Sequence, residues 1–248
     1  MKNTFKDRTG EIHVTKEGYE VEIIEYYGNN NCTVKFKNGV IIKAKSYHSV
    51  RKGKIKNPYH PSVCGIGYFG EGKYKAMINY KSNKYYITWI DMIKRCYSEK
   101  SQENNPTYKD CTVDESWHNF QNFAEWFENN FNPEYMDRWC LDKDILQKGN
   151  KIYSPETCVF IPHIINNVIR EGDNKGVYES TGSSYKCQLT IKGKTRFLGS
   201  YKNKKEAYEV YKEAKEKYIK QIADEWRDKI GKNIYEILYK WEINNELL

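Results

Sequence analysis

The stretch LDKDILQKGNKIYSPETCVFIPHIINN, Leu141 to Asn167, decides how the whole chain is read. A short apolar segment carries Asp142 and Asp144, a turn follows at Gly149-Asn150, CVFI runs up to Pro162, and a helical segment bears Asn166 and Asn167. Apolar runs bounded by Gly, Asn and Pro read as strand, turn, strand and helix. Whether this unit does chemistry decides whether the protein is an enzyme.

Upstream, YEVEIIEYY, CTVKF and VIIKA alternate as strands do and are separated by GNNN and KNG. Lys37-Asn38-Gly39 predicts a hairpin, because Asn-Gly tolerates the positive φ values of a tight two-residue turn. Gly53, Pro58, Pro61, Gly65, Gly67, Gly70 and Gly72 make the next segment rich in turns. Residues 1–75 are therefore expected to form an SH3-like β-barrel of about five short strands, either a docking module or a brace for the middle domain. Trp89, Met92, Ile93, Cys96 and Tyr97 then fall on one helical face, and Trp117, Phe120, Phe123, Trp126 and Phe127 predict a second helix whose aromatic face must be buried. With the strand-turn-strand-helix unit these helices make up an expected domain over residues 76–172. His13, His48, His60 and His118 stand alone, without the cluster a site requires, and are read as structural or surface residues.

Downstream of a linker, EGDNKG, three short strands are expected at Gly176-Val177, Tyr185–Ile191 and Thr195–Tyr201, the last two joined by Lys192-Gly193-Lys194. Tyr185, Cys187, Leu189 and Ile191 alternate with Lys186, Gln188 and Thr190, so one face should be packed and the other free. Ala207, Val210, Tyr211, Ala214 and Tyr218 form the helical stripe that should cover the packed face, giving a domain over residues 173–221. The tail, 222–248, carries Trp226, Ile230, Ile234, Ile237, Leu238 and Trp241, a stripe to be covered by the chain itself or by a partner. The expected class is α+β in several domains.

Composition supports a folded, polyanion-binding protein. The 248 residues are 39% hydrophobic and include 22 Tyr, 9 Phe and 6 Trp, enough apolar area for aromatic-rich cores. Net charge is +8, and Lys175 to Gln221 alone holds 12 Lys and Arg against 5 Glu. A basic excess confined to one segment marks a surface for nucleic acid. Seven widely spaced cysteines without a Cys-x-x-Cys pair argue against a disulfide framework or zinc ribbon, and for small core residues in a reducing compartment. The N-terminus has no apolar signal core and no run approaches the ~18 apolar residues of a membrane span, so a soluble, cytoplasmic protein with no membrane partner is expected.

With LDKD followed by GN, by SPETCVFIP and by an Asn in the helix, Leu141–Asn167 resembles the ββα-metal (His-Me) finger of HNH endonucleases. The resemblance implies Asp142 and Asn166 as ligands of Mg²⁺ or another divalent metal, Lys143 at the general-base position, and Thr157 near the Asn that orders the loop. The base must take a proton from water near neutral pH, which a histidine of pKa about 6.5 does and a lysine of about 10.4 does not. Lys143 is thus suited to holding a phosphate, and His163 is the candidate displaced base. The plain alternative is that Asp142 and Asp144 cap turns and pair with Lys143, Lys148 or Arg138 while only the fold survives.

GVYESTGSSYKCQLTIKGKTRFLGSYKNKKEAYEVYKEA, from Gly176 to Ala214, resembles the DNA-binding domain of the Apetala and ethylene-response-factor type, through its Gly-Val opening, its Leu-Gly followed by an aromatic residue, and its Glu-Ala helix start. In that family the sheet lies in the major groove, which implies Lys186, Gln188, Thr190, Lys194 and Arg196 as the DNA-binding residues. Tyr178 stands where the family has an arginine, which implies altered or limited base readout on top of salt-sensitive phosphate contacts. Together the parts look like the free-standing HNH homing endonucleases common in bacteriophage genomes. That implies a protein binding double-stranded DNA in the cytoplasm of a bacterial host, and a metal-dependent nickase or endonuclease if the site is active. The reading from another class is a non-catalytic binder, without cofactor, that inhibits or regulates a host nucleic-acid or defence machine.

Overall fold

A computed structural model describes residues 6–44, 46–170, 176–180 and 182–243, and the protein is mixed α+β. Residues 171–175 of the expected EGDNKG linker lie outside the described residues, as does Thr181. The chain divides into two compact units, Met1–Glu125 and Trp126–Leu248.

The first unit begins with an antiparallel meander of β1 (Ile12–Val14), β2 (Glu20–Tyr26), β3 (Cys32–Phe36) and β4 (Ile41–Ala44) in the order β1-β2-β3-β4. Alternation sorts its side chains: Val21, Ile23, Val34 and Phe36 fill the core, while Glu20 and Glu22 stay outside. The KNG hairpin differs from its expected two-residue turn. Three residues, 37–39, close it, with Phe36 N donating to Val40 O at 2.8 Å, and Gly39 takes the positive φ of 90° while Asn38 does not. This is the other common hairpin solution, in which a glycine absorbs the left-handed residue. No fifth strand joins this sheet among the described residues; helix α1 (Tyr47–Arg51) follows instead, its N-cap Ser46 accepting from Ser49 N.

A small hairpin, β5 (Met77–Ile78) and β6 (Lys81–Ser82), leads into α2 (Lys84–Tyr97), α3 (Glu99–Asn104) and β7 (Thr112–Val113); the division between the units falls within α4 (Phe120–Asn130). Trp89, Met92, Ile93 and Cys96 are buried, as their spacing requires. Trp117 sits in a 3-10 turn ahead of α4 rather than within it, and its carbonyl accepts from Trp89 Nε1 at 2.7 Å. Gln121, also buried, ties the Gly-rich segment to α4: its Oε1 accepts from Tyr74 N at 3.0 Å and its Nε2 donates to the carbonyls of Phe69 and Tyr74. A β-carbon at Gly72 would collide with that amide.

In the second unit Phe127, Phe131 and Phe160 pack with ring centroids 4.7–5.2 Å apart. Its elements are β8 (Trp139–Asp142), β9 (Ile152–Tyr153), β10 (Val159–Pro162), α5 (His163–Ile169), β11 (Val177–Ser180), β12 (Ser184–Ile191), β13 (Lys194–Tyr201), α6 (Lys204–Trp226) and α7 (Lys232–Tyr239). β8 and β10 pair antiparallel and α5 packs against both, so a strand-loop-strand-helix unit is present. The sheet β11-β12-β13 packs on α6, which runs on past residue 221. α7 folds back on α6, burying Ile230, Ile234 and Leu238, with Tyr235 OH donating to Asp224 at 2.9 Å, so the apolar tail is covered by the chain itself. The seven cysteines form no disulfide; five are buried, Cys140 is half-buried and Cys64 is exposed.

Gln121→Ala leaves three backbone groups without their side-chain partner. The expected result is a loss of about 2 kcal/mol in a urea titration, and Gly72→Ala should destabilise in the same sense by displacing the amide.

Candidate functional site

The ββα centre is built around the end of β8. Asp142 closes the strand, and its Oδ1 accepts from Asp144 N at 3.0 Å and Ile145 N at 2.8 Å, turning the chain out of the sheet. Asp144 therefore lies beyond the strand, in the loop, rather than on it. Burial, with the Asp144 carboxylate close by, pushes the Asp142 carboxyl up to about 6. The two amide hydrogen bonds favour the ionised form but do not outweigh the desolvation.

Lys143 is only 7% exposed. Its Nζ donates to Asn150 O at 2.7 Å and to Asp144 Oδ2 at 3.1 Å, and it stands 5.9 Å from the centre of the Tyr153 ring. Asn150 completes a closed circuit: its Nδ2 donates to the carbonyls of Lys143 and Ile152, both at 2.7 Å, and its Oδ1 accepts from Ile152 N. Thr157 takes part further along, its Oγ1 donating to Ile152 O at 2.9 Å, with the Ser154 hydroxyl 3.0 Å away. Asn150, which the sequence marks only as a turn residue beside Gly149, is thus the residue that orders this loop. Cys158 is buried beside the centre and its thiol is pushed up to about 12 by that burial, which leaves it unreactive.

His163 is not brought to this centre. Asp142 pairs with Val159 at one end of the β8–β10 ladder, whereas Trp139 pairs with Pro162 at the other. His163 follows Pro162, roughly 13 Å of strand from Val159 at about 3.3 Å per residue. It is exposed, and its Nδ1 lies 3.0 Å from Asn167 Nδ2. Asn166 is half-buried on α5. The donor set does not fit a divalent metal well: Asp142 commits one oxygen to two amides, burial opposes its charge, and its neighbour is a buried ammonium. No group of three or more His, Cys, Asp and Glu suited to a metal occurs among the described residues.

The second candidate surface is the three-stranded sheet. β12 and β13 are joined by two residues, Lys192 (φ 49°) and Gly193 (φ 77°), so Ile191 pairs with Lys194, Thr190 with Thr195, Leu189 with Arg196 and Gln188 with Phe197. The sequence predicts a three-residue connection, Lys192-Gly193-Lys194, and one residue fewer exchanges the faces of β13. Lys194 and Arg196, both exposed, consequently share the row of Ile191 and Leu189, the side covered by α6, and not that of Lys186, Gln188 and Thr190. The open face instead gains Thr195, whose hydroxyl lies 3.2 Å from that of Thr190, and Phe197, which is 64% exposed. Tyr178, opposite Lys186, joins them and donates its hydroxyl to Gln188 Oε1 at 3.3 Å. Phe197 reaches the open face only through the two-residue length of the Lys192-Gly193 turn, and Tyr178 through the β11–β12 pairing.

No family model, curated protein or solved structure matches the chain. No described helix is long and apolar enough to cross a membrane.

Asp142 provides a pH test. Its folded-state value of about 6 lies above the ~3.9 of an unfolded aspartate. The folded protein holds this proton more tightly, so the associated stabilisation is complete below about pH 4 and is lost as pH rises through about 6. Asp142→Asn keeps the side-chain oxygen that accepts from both amides and removes the charge: it should flatten this dependence and gain about 3 kcal/mol at pH 8. Asp142→Ala should be less stable than the Asn variant by about 1–2 kcal/mol. Urea titrations between pH 4 and pH 8 measure both, and an unchanged pH profile in Asp142→Asn would reject the raised value.

Proposed function

We propose that the protein binds double-stranded DNA through the open face of its three-stranded sheet, and that its ββα unit is of HNH-endonuclease descent but holds structure rather than cutting DNA. The observation that carries the second part is the Lys143 ammonium, buried and donating to Asn150 O and Asp144 at the position the resemblance assigns to the base. A general base needs a lone pair near the reacting water; this group is engaged as a donor, and His163 stands at the far end of the ladder.

The DNA reading rests on the basic excess of the C-terminal segment and on the open face. Lys186 supplies a phosphate contact, Gln188 and Thr190 offer hydrogen bonds to base edges, and Phe197 and Tyr178 offer apolar surface. Lys194 and Arg196, exposed at the hairpin end, serve phosphates beside the groove. A bacteriophage source, action in a bacterial cytoplasm and the SH3-like reading of the N-terminal meander belong to the same proposal.

Two measurements test it. Supercoiled DNA incubated with the protein and Mg²⁺ or Mn²⁺ should remain unnicked; nicks that vanish with chelator and with Asp142→Ala would restore the nuclease reading. A Lys186→Ala plus Phe197→Ala variant should lose about tenfold or more in duplex affinity. Unchanged DNA binding by this variant would remove the sheet from the DNA interface, and no DNA binding by the parent protein would favour a protein partner.

A further inference from the structure

The hairpin formed by β5 and β6 is left without a role by the sheet and the ββα centre. Its two-residue turn, Asn79 (φ 50°) and Tyr80 (φ 60°), has both residues in the left-handed region. This type of turn favours glycine at its second position, and a tyrosine there costs about 1–2 kcal/mol. Tyr80 is nevertheless 98% exposed, so no packing within the described chain offsets the strain. Met77 and Ile78 beside it are 55% and 54% exposed. The base of the hairpin is firmly held: Asn83, itself buried, donates its backbone N–H to Ala76 O at 2.8 Å and its Nδ2 to Lys75 O at 2.9 Å, while its Oδ1 caps α2 at Tyr85 N. A rigid support thus presents a strained, solvent-facing tip of one aromatic and two aliphatic side chains.

The charge around the tip identifies its ligand. Lys73, Lys75 and Lys81 are exposed, and no Asp or Glu occurs between Gly72 and Ile90. An apolar tip between cations fits a polyanion that also offers apolar steps to part. Duplex DNA does so in the minor groove, where inserted apolar side chains separate base pairs while basic residues hold the flanking phosphates.

We infer that the β5–β6 hairpin is a second duplex-DNA contact, a wedge in which Ile78 and Tyr80 enter between base pairs and Lys75 and Lys81 hold phosphates. It shares its ligand with the function proposed above but uses a different set of residues in the other unit.

The full-length protein is titrated with a duplex carrying 2-aminopurine, whose fluorescence rises when its stacking is broken. The parent should raise the signal, and Tyr80→Gly should abolish the rise while melting no lower than the parent, since glycine suits the turn. Lys75→Gln plus Lys81→Gln should weaken binding about tenfold and reduce the salt slope by about two. Lys186→Ala plus Phe197→Ala, at saturating protein, should keep the fluorescence rise. A rise that survives Tyr80→Gly, or an unchanged affinity and salt slope in the lysine pair, overturns the wedge, and if the sheet variant loses affinity in the same assay the sheet reading stands without it. Loss in the hairpin variants with the sheet variant unaffected supports the wedge and rejects the sheet. Tyr80-dependent binding to vesicles of phosphatidylcholine and phosphatidylserine, with none to duplex, also overturns it.

Discussion

One buried ammonium holds the ββα centre together. Taking a lysine out of water costs several kcal/mol unless its donors find acceptors, and Lys143 finds the Asn150 carbonyl and the Asp144 carboxylate. Asn150 returns two hydrogen bonds to the backbone on either side of the loop, so cation, amide and strand end form one circuit. The groups that would have to face a substrate are the ones closing this circuit. An imidazole at position 143 would give up the reach that satisfies Asn150 O.

The elements that sequence made legible are those governed by periodicity. The α2 stripe of Trp89, Met92, Ile93 and Cys96 and the alternation of Val21 and Ile23 with Glu20 and Glu22 are direct consequences of which face meets the core. The lengths of the two lysine-glycine turns were not legible, and they erred in opposite directions. The loop at 37–39 has one residue more than Asn-Gly suggests, and the one at 192–193 has one fewer than its lysines suggest. Both local sequences allow either length, and the choice belongs to the strands: Phe36 and Val40 close the first loop as buried neighbours, a demand that no local window contains. Lys143 was legible as the departure from a nuclease pattern. Its burial was not, because a lysine between two aspartates reads as solvated until Asn150 and Tyr153 are brought beside it.

The second unit relies on α6 for both of its attached parts. One face of that helix carries the three-stranded sheet, and α7 lies along it, so the basic segment and the apolar tail share one support. The tail stripe is thereby a packing feature rather than an invitation to a partner, with Leu238 only 1% exposed. Lys215, on the same helix and also buried, reaches the carbonyl of Arg170 at the end of α5, which links this support to the ββα unit.

The two-residue turn at Lys192-Gly193 also sets how this surface responds to different kinds of mutation. Point substitutions along β13 alter one position at a time and leave Phe197 on the same side as Gln188. An in-frame insertion of one codon in the turn would act on the whole strand at once, carrying Arg196 to the open side and Phe197 toward α6. Variation in the length of this loop therefore offers an abrupt route between an aromatic surface and a cationic one, which residue-by-residue drift reaches only through many intermediates.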